Sequence, residues 1–141
     1  GQVYDTLGGL PEELTPLEQV KLVHRNKTGA LIRSACRMGG LCGGASREEL
    51  TALTVYGEAM GLMFQVVDDL LDVTQSTGHV GKATGKDAAC GKRTYPGVLG
   101  EAACRDEIER LLGEALNAIG FLGPNGHPLA CIAELMAIRT R

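Results

Sequence analysis

The stretch from Thr51 to Thr74 narrows the possible folds more than any other: it holds no proline and apolar residues dominate it. Such a run reads as one buried helix. At 3.6 residues per turn, Gln65, Asp68, Asp69 and Asp72 fall at i, i+3, i+4 and i+7, which is a single face. A helix packed on a core normally sets its most apolar residues on that stripe. Here the stripe carries three carboxylates, flanked by Leu62, Met63, Val66, Val67, Leu70 and Leu71. Like charges at these spacings destabilise a helix by about 0.2–0.5 kcal/mol per pair, and burying them without a counter-charge costs far more. No Lys or Arg occurs between Glu48 and Gly81, so the helix does not supply that counter-charge. A hard cation can: carboxylate oxygens suit Mg2+, which takes one or two of them, keeps several waters and bridges to phosphate oxygens.

The chain then turns basic. His79 to Arg93 holds four cationic side chains (Lys82, Lys86, Lys92 and Arg93) and three glycines, with weak helical periodicity. Glycine lets a ligand approach the backbone, and lysines meet phosphate as mobile point charges. An acidic helix face followed by a Gly/Lys loop is what a metal–diphosphate site needs. The plain alternative is a solvated acidic patch and a surface loop.

The rest of the chain sets bounds. A length of 141 residues suits one domain, 1–141, large enough for a sizeable core. A formal charge of −3 argues against a nucleic-acid binder. No apolar run reads as long enough to span a bilayer, so no membrane insertion is expected. The five cysteines (Cys36, Cys42, Cys90, Cys104 and Cys131) are odd in number and lack C-x-x-C spacing, which reads as reduced thiols in a cytoplasmic protein.

In order, Gly1 to Leu7 reads as a helix end closed by Gly8-Gly9, with Gln2 and Asp5 polar on one side. Thr15-Pro16-Leu17-Glu18 is a helix start, with Thr15 as N-cap and Glu18 completing a capping box. That helix is expected to run to about Gly39-Gly40, with Val20, Val23, Leu31, Ala35 and Met38 facing the core. Its second half gathers Lys21, His24, Arg25, Lys27, Arg33 and Arg37. Lys27-Thr28, a cation beside a hydroxyl, precedes Gly29, which leaves a ligand room. Ser46 with Glu49 opens the acidic helix, on which Gly57 and Gly61 let a neighbouring helix approach. Tyr95-Pro96 opens a helix expected to continue to Ile119, with Leu99, Ala103, Ile108, Leu111, Leu112 and Leu116 as its apolar face. A Gly/Pro turn from Phe121 to Pro128 precedes a last amphipathic helix, Leu129 to Ile138. His24 reads as structural, and His79 and His127 have no partner at metal-ligand spacing. Nothing alternates with period two over a useful length, so the fold class is all-α.

The segments Gly1-Gln2-Val3-Tyr4-Asp5, His24 to Ile32, Phe64 to Asp72, and Gly81-Lys82 through Gly85-Lys86-Asp87 to Gly91-Lys92-Arg93-Thr94-Tyr95-Pro96 carry a resemblance. In order and spacing they resemble the trans-isoprenyl diphosphate synthase (polyprenyl synthetase) family, most nearly its bacterial farnesyl/geranylgeranyl diphosphate synthases (geranyltranstransferases). The likeness covers the chain to about Gly100; beyond it the helices agree in pattern only.

The resemblance implies the C-terminal part of an all-α isoprenoid synthase bundle and a Mg2+-dependent transferase. That reaction condenses isopentenyl diphosphate with an allylic diphosphate. Asp68, Asp69 and Asp72 would then be the second aspartate-rich metal motif, with Asp68 the direct ligand, and Asp87 would act through metal-bound water. Lys27 and Lys82 would hold the allylic diphosphate, with Lys92 nearby. Thr28 and Gln65 would present oxygens to the forming cation. The family chain is longer and carries a first aspartate-rich motif upstream, so this chain alone is expected to have little activity. It is further expected to form a homodimer, exchange of helices being one way to rebuild the bundle. The alternative reading is a non-catalytic diphosphate/Mg-binding subunit that partners a complete synthase.

Overall fold

The computed structural model describes residues 1–77 and 93–139 of the chain. Its elements run α1 (Gln2–Leu7), α2 (Pro16–His24), a π turn (Arg25–Gly29), α3 (Ala30–Cys42), α4 (Arg47–Thr77), α5 (Tyr95–Leu99), α6 (Glu101–Ile119), a 3-10 segment (Gly120–Gly126) and α7 (His127–Ile138). No strand occurs among the described residues, and the fold is all-α.

The helix starts follow from local chemistry. Thr15 Oγ1 accepts from the Glu18 N–H at 3.3 Å while Glu18 Oε2 accepts from the Thr15 N–H at 2.8 Å. Ser46 and Glu49 repeat the arrangement ahead of α4, at 3.2 and 2.6 Å. Each box satisfies two backbone or side-chain groups that a helix end leaves open.

Helix α4 is the central rod. Met63, Val66, Val67 and Leu70 lose all contact with solvent against Cys104, Ile108, Leu111 and Ala115 of α6 and Tyr95 of α5. Ala133 and Ala137 of α7 close the same cluster, and Tyr56 Oη donates to the Leu129 carbonyl at 2.9 Å. Lys21 of α2 reaches Glu107 of α6 at 3.4 Å, and Arg110 holds Glu107 at 2.7 Å. The Arg110 hydrogen bonds keep the Glu107 carboxyl below its ordinary value.

On the other side α4 meets α3 almost backbone to backbone. A methyl on Gly57 would stand 2.7 Å from the Arg33 Cα, and one on Gly61 would stand 2.5 Å from the Gly29 Cα. Both glycines are therefore packing positions, as their spacing suggests. Arg33 pairs with Glu58 at 3.0 Å, and Arg37 donates to Thr54 Oγ1 at 2.6 Å.

Three expectations from the sequence need correction. The helix from Pro16 to Cys42 keeps no single inward face, because the π turn inserts one residue into it. At about 100° per residue, the inward face slips by one position. Ile32 and Cys36 pack on the core, while Leu31 is 73% exposed, Met38 59% exposed and Ala35 exposed. The helix expected from Tyr95 to Ile119 is two, broken at Gly100, whose φ of 81° lies in the left-handed region that glycine tolerates. The last helix buries only Ala133 and Ala137 and exposes Ile132, Leu135 and Ile138, so it is not amphipathic in the expected sense.

The reading that no apolar run can span a bilayer also fails by length and composition. An 18-residue window within Arg47–Thr74 reaches a mean hydropathy of 1.3, and the segment is long enough to cross one. Here it serves as the core rod, with 56% of its most apolar window buried in the fold. The four described cysteines, Cys36, Cys42, Cys104 and Cys131, are free thiols.

The glycine contacts make a paired prediction. Gly61→Ala forces the π turn away from α4 and should cost about 1–3 kcal/mol. Gly113→Ala in α6 meets nothing within 4 Å and should gain about 0.4–1 kcal/mol. Urea unfolding of both variants, followed by far-UV circular dichroism, checks the opposite signs.

Candidate functional site

Four elements converge on one cavity of about 310 Å3. Helix α4 contributes Phe64, Gln65, Asp68, Asp69 and Asp72; α2 and the π turn contribute Val23, His24, Lys27 and Thr28. Asp5 of α1 and Arg93 and Thr94, just ahead of α5, complete the wall. The spacing Gln65, Asp68, Asp69, Asp72 therefore does mark one side of one cavity. The stripe is not buried: Asp68 and Asp72 are exposed, Asp69 is half-buried and Gln65 alone is buried. Open solvent removes most of the desolvation cost that three buried carboxylates would carry.

Each side chain is placed by local geometry. Lys27 and Thr28 sit within the π turn, and the contact of Gly29 with Gly61 sets that turn directly against α4. Gln65 follows Gly61 by one helical turn and lines the same cavity as Thr28. Lys27 Nζ lies 2.6 Å from Asp5 Oδ2, a partner 22 residues away.

Asp69 behaves differently from its neighbours. Its Oδ2 accepts from the Tyr95 N–H at 2.9 Å and contacts His24 Nε2 at 3.2 Å. A carboxylate only accepts, so Nε2 carries the proton. His24 is buried and stacks on Tyr95, with ring centroids 5.5 Å apart and planes 9° apart. His24 Nδ1 and Tyr95 Oη are buried without a hydrogen-bond partner among the described residues. Burial, with the Glu107 carboxylate behind it, drives the Tyr95 phenol well above its ordinary value. Gln19, also buried, donates to the Pro11 and Leu14 carbonyls at 3.1 Å each and accepts from Arg93.

A divalent ion is implied by the carboxylates, and the donor set fits one of a particular kind. Among the described residues no three His, Cys, Asp or Glu side chains stand close enough to hold an ion by themselves. Magnesium does not require such a cage, since one or two carboxylates, waters and phosphate oxygens complete its shell. Asp68 and Asp72, exposed and one turn apart on the cavity, supply hard oxygens of that type. Lys82, Asp87 and Lys92 lie outside the described residues.

Sequence reasoning passes over Asp5, Gln19 and Thr94 as site residues and counts Arg93 only among the cations of the basic segment. Asp5 and Gln19 meet Lys27 and Arg93 across 22 and 74 residues, separations that no local pattern reports, and Thr94 is marked locally only as the N-cap of α5. His24, which reads as structural from its sequence context, is buried, lines the cavity and meets Asp69, a carboxylate partner not readable from spacing.

The polyprenyl synthetase family model matches residues 1–119, and the chain belongs to that family. The likeness thus runs beyond Gly100, into the end of α6. Geranylgeranyl pyrophosphate synthase 11, chloroplastic, of Arabidopsis thaliana is 41% identical over 141 residues, covering 99% of this chain and 40% of that protein. Geranylfarnesyl diphosphate synthase, chloroplastic, of Leucosceptrum canum is 41% identical over 143 residues, covering 100% of this chain and 39% of that protein. The crystal structure of a putative farnesyl-diphosphate synthase from Marinomonas sp. MED121 superposes with a TM-score of 0.72 at 32% identity, over 89% of this chain and 41% of that one. The chain therefore spans about 40% of the length of the curated relatives it matches.

Three buried acids behind the cavity set an alkaline limit on the fold. Burial, with help from Asp69, Glu101 and Glu107, pushes the Cys104 thiol to about 11; burial, with Cys36 adding, pushes the Tyr56 phenol to about 12; Tyr95 moves the same way. A raised folded-state value means the native state keeps a proton that the unfolded chain releases. Their contribution is fully present below the unfolded value of 9.0 for the thiol and is lost as pH rises through the folded values. The melting temperature should therefore fall between about pH 9 and 11, and fall less steeply in Cys104→Ala. Thermal melts across that range check it.

Proposed function

We propose that this chain carries the Asp68 side of the active site of a chain-elongating prenyltransferase, which condenses isopentenyl diphosphate with an allylic diphosphate. The observation that carries the reading is the single cavity lined by Lys27, Thr28, Gln65, Asp68 and Asp72. It combines a cation for phosphate, carboxylates for a hard metal, and neutral oxygens beside them.

In this reading Asp68, with Asp72, would hold Mg2+, which would supply a Lewis acid to neutralise the charge of a diphosphate. Lys27 leaves Asp5 or shares it, and places its ammonium beside the allylic diphosphate. Its charge lowers the barrier to breaking the bond between the allylic carbon and oxygen. Thr28 and Gln65 turn oxygens towards the allylic cation so formed. Val23 and Phe64 line the same wall and keep water from capturing that cation. The double bond of isopentenyl diphosphate then attacks, a new carbon–carbon bond forms, and a proton leaves the adjacent carbon. Lys82, Lys92 and Asp87, assigned through the family resemblance, would add to the diphosphate grip and to the metal through water.

The 141-residue chain by itself is expected to bind a metal–diphosphate pair and to turn over poorly. One carboxylate pair neutralises only part of a leaving diphosphate, and each missing preorganised contact costs about 10²–10³ in rate. Val3 and Leu7 of α1 and Leu31, Met38 and Leu41 of α3 are exposed apolar residues, consistent with association into a homodimer. The cytoplasmic setting read from the cysteines remains part of this proposal; the chloroplastic labels are those of the relatives.

Calorimetric titration with methylene diphosphonate tests the site. Wild type should bind more tightly by at least about tenfold when Mg2+ is present, Asp68→Ala should lose that gain, and Lys27→Ala should weaken binding by about tenfold. Equal binding with and without Mg2+, or an unaffected Asp68→Ala, would refute the metal role.

A further inference from the structure

Asp68 and Asp69 are adjacent in sequence but about 100° apart around α4, and the structure gives them different surroundings. Asp68 is exposed at the cavity. Asp69 is half-buried, and one of its oxygens, Oδ2, serves two donors from two other elements: the Tyr95 N–H at 2.9 Å and His24 Nε2 at 3.2 Å. Both donors are themselves immobilised. Tyr95 is completely buried, His24 is 7% exposed, and the two rings stack.

We propose that Asp69 is a positioning residue rather than a metal ligand: it ties α4 to the end of α2 and to the first residue of α5, and thereby aims Asp68 and Asp72 at the cavity. The inference rests on the metal–diphosphate reading for what is aimed, and on hydrogen-bond geometry alone for the tie. An oxygen that already takes two N–H donors has its lone pairs directed at them, so a cation at Oδ2 would have to displace both. The tie also joins three segments that no other single side chain joins among the described hydrogen bonds. Helix α4 carries the acids, α2 leads directly into the Lys27 turn, and Tyr95 follows Arg93 and Thr94 of the cavity wall. Loss of the tie would let these parts of the wall shift relative to one another. A shift of that size matters at a site whose members must be held to within a fraction of an ångström.

The roles separate cleanly under substitution. Asp69→Asn keeps an oxygen to accept from the Tyr95 N–H but removes the charge that a metal would use. Asp69→Ala removes both. His24→Phe preserves the ring stack and deletes the second donor.

The experiment uses the full 141-residue chain with two readouts: binding of inorganic pyrophosphate with and without Mg2+ by calorimetry, and hydrogen exchange at the Tyr95 amide. The Tyr95 amide should exchange at least about tenfold faster in Asp69→Ala, return close to the wild-type rate in Asp69→Asn, and accelerate by a smaller factor in His24→Phe. The gain in affinity brought by Mg2+ should survive in Asp69→Asn and disappear in Asp68→Asn. An unchanged Tyr95 exchange rate in Asp69→Ala overturns the tie, and Asp69→Asn losing the Mg2+ gain as completely as Asp68→Asn overturns the division of roles. Should Asp69→Ala not fold, the Asn and Phe variants carry the same comparison. Should wild type bind pyrophosphate equally well without Mg2+, the metal–diphosphate reading falls, and the exchange rates still decide whether Asp69 is the tie.

Discussion

The contact between Gly29 and Gly61 is the constraint from which the site follows. Helix–helix distances are set by the side chains at the crossing point, and here there are none on either side. The π turn is therefore drawn against α4 more closely than any other residue pair would allow. One turn along α4 from that contact lies Gln65, and one turn further Asp69, flanked by Asp68. Immediately before Gly29 stand Lys27 and Thr28. The cavity is what remains between two rods pinned at one end by bare backbone.

Its far end is pinned by polar atoms instead. Asp69 receives the start of α5, Gln19 receives Arg93, and Lys21 reaches across to Glu107 on α6. Apolar packing along Met63, Val66, Val67 and Leu70 fixes the helices laterally, but it is non-directional and does not specify rotation about the helix axis. Directional bonds at Asp69 and Gln19 do. The arrangement is a dry core behind the cavity, with hydrogen bonds at its rim deciding which atoms face inward.

Much of this was legible from the residues. The period-3.6 stripe at Gln65, Asp68 and Asp72, the caps at Thr15 and Ser46, and the closeness implied by Gly57 and Gly61 are all local patterns, and local patterns survive into the fold. What sequence could not disclose depends on rotation and distance in the chain. Leu31 and Met38 look like core because helical period carries over from Val20 and Val23, and nothing in Arg25-Asn26-Lys27-Thr28-Gly29 marks a residue too many. The pairs Asp5 with Lys27 and Asp69 with His24 bridge separations of 22 and 45 residues, over which no periodicity reports. Gly100 breaks a helix through a left-handed φ of 81°, whereas Gly113, the same residue inside the next helix, does not.

The five-residue turn between α2 and α3 also divides one continuous rod into two reading frames. Residues before it and after it obey the same spacing but different zero points, much as a vernier scale is offset by a single mark. Winding those same five residues as plain α-helix would turn everything from Ala30 to Cys42 like a dial. Leu31 and Met38 would come round towards α4, and Ile32 and Cys36 would be carried away from it. The composition and helical content of the chain would barely change, yet its outward face would be a different one.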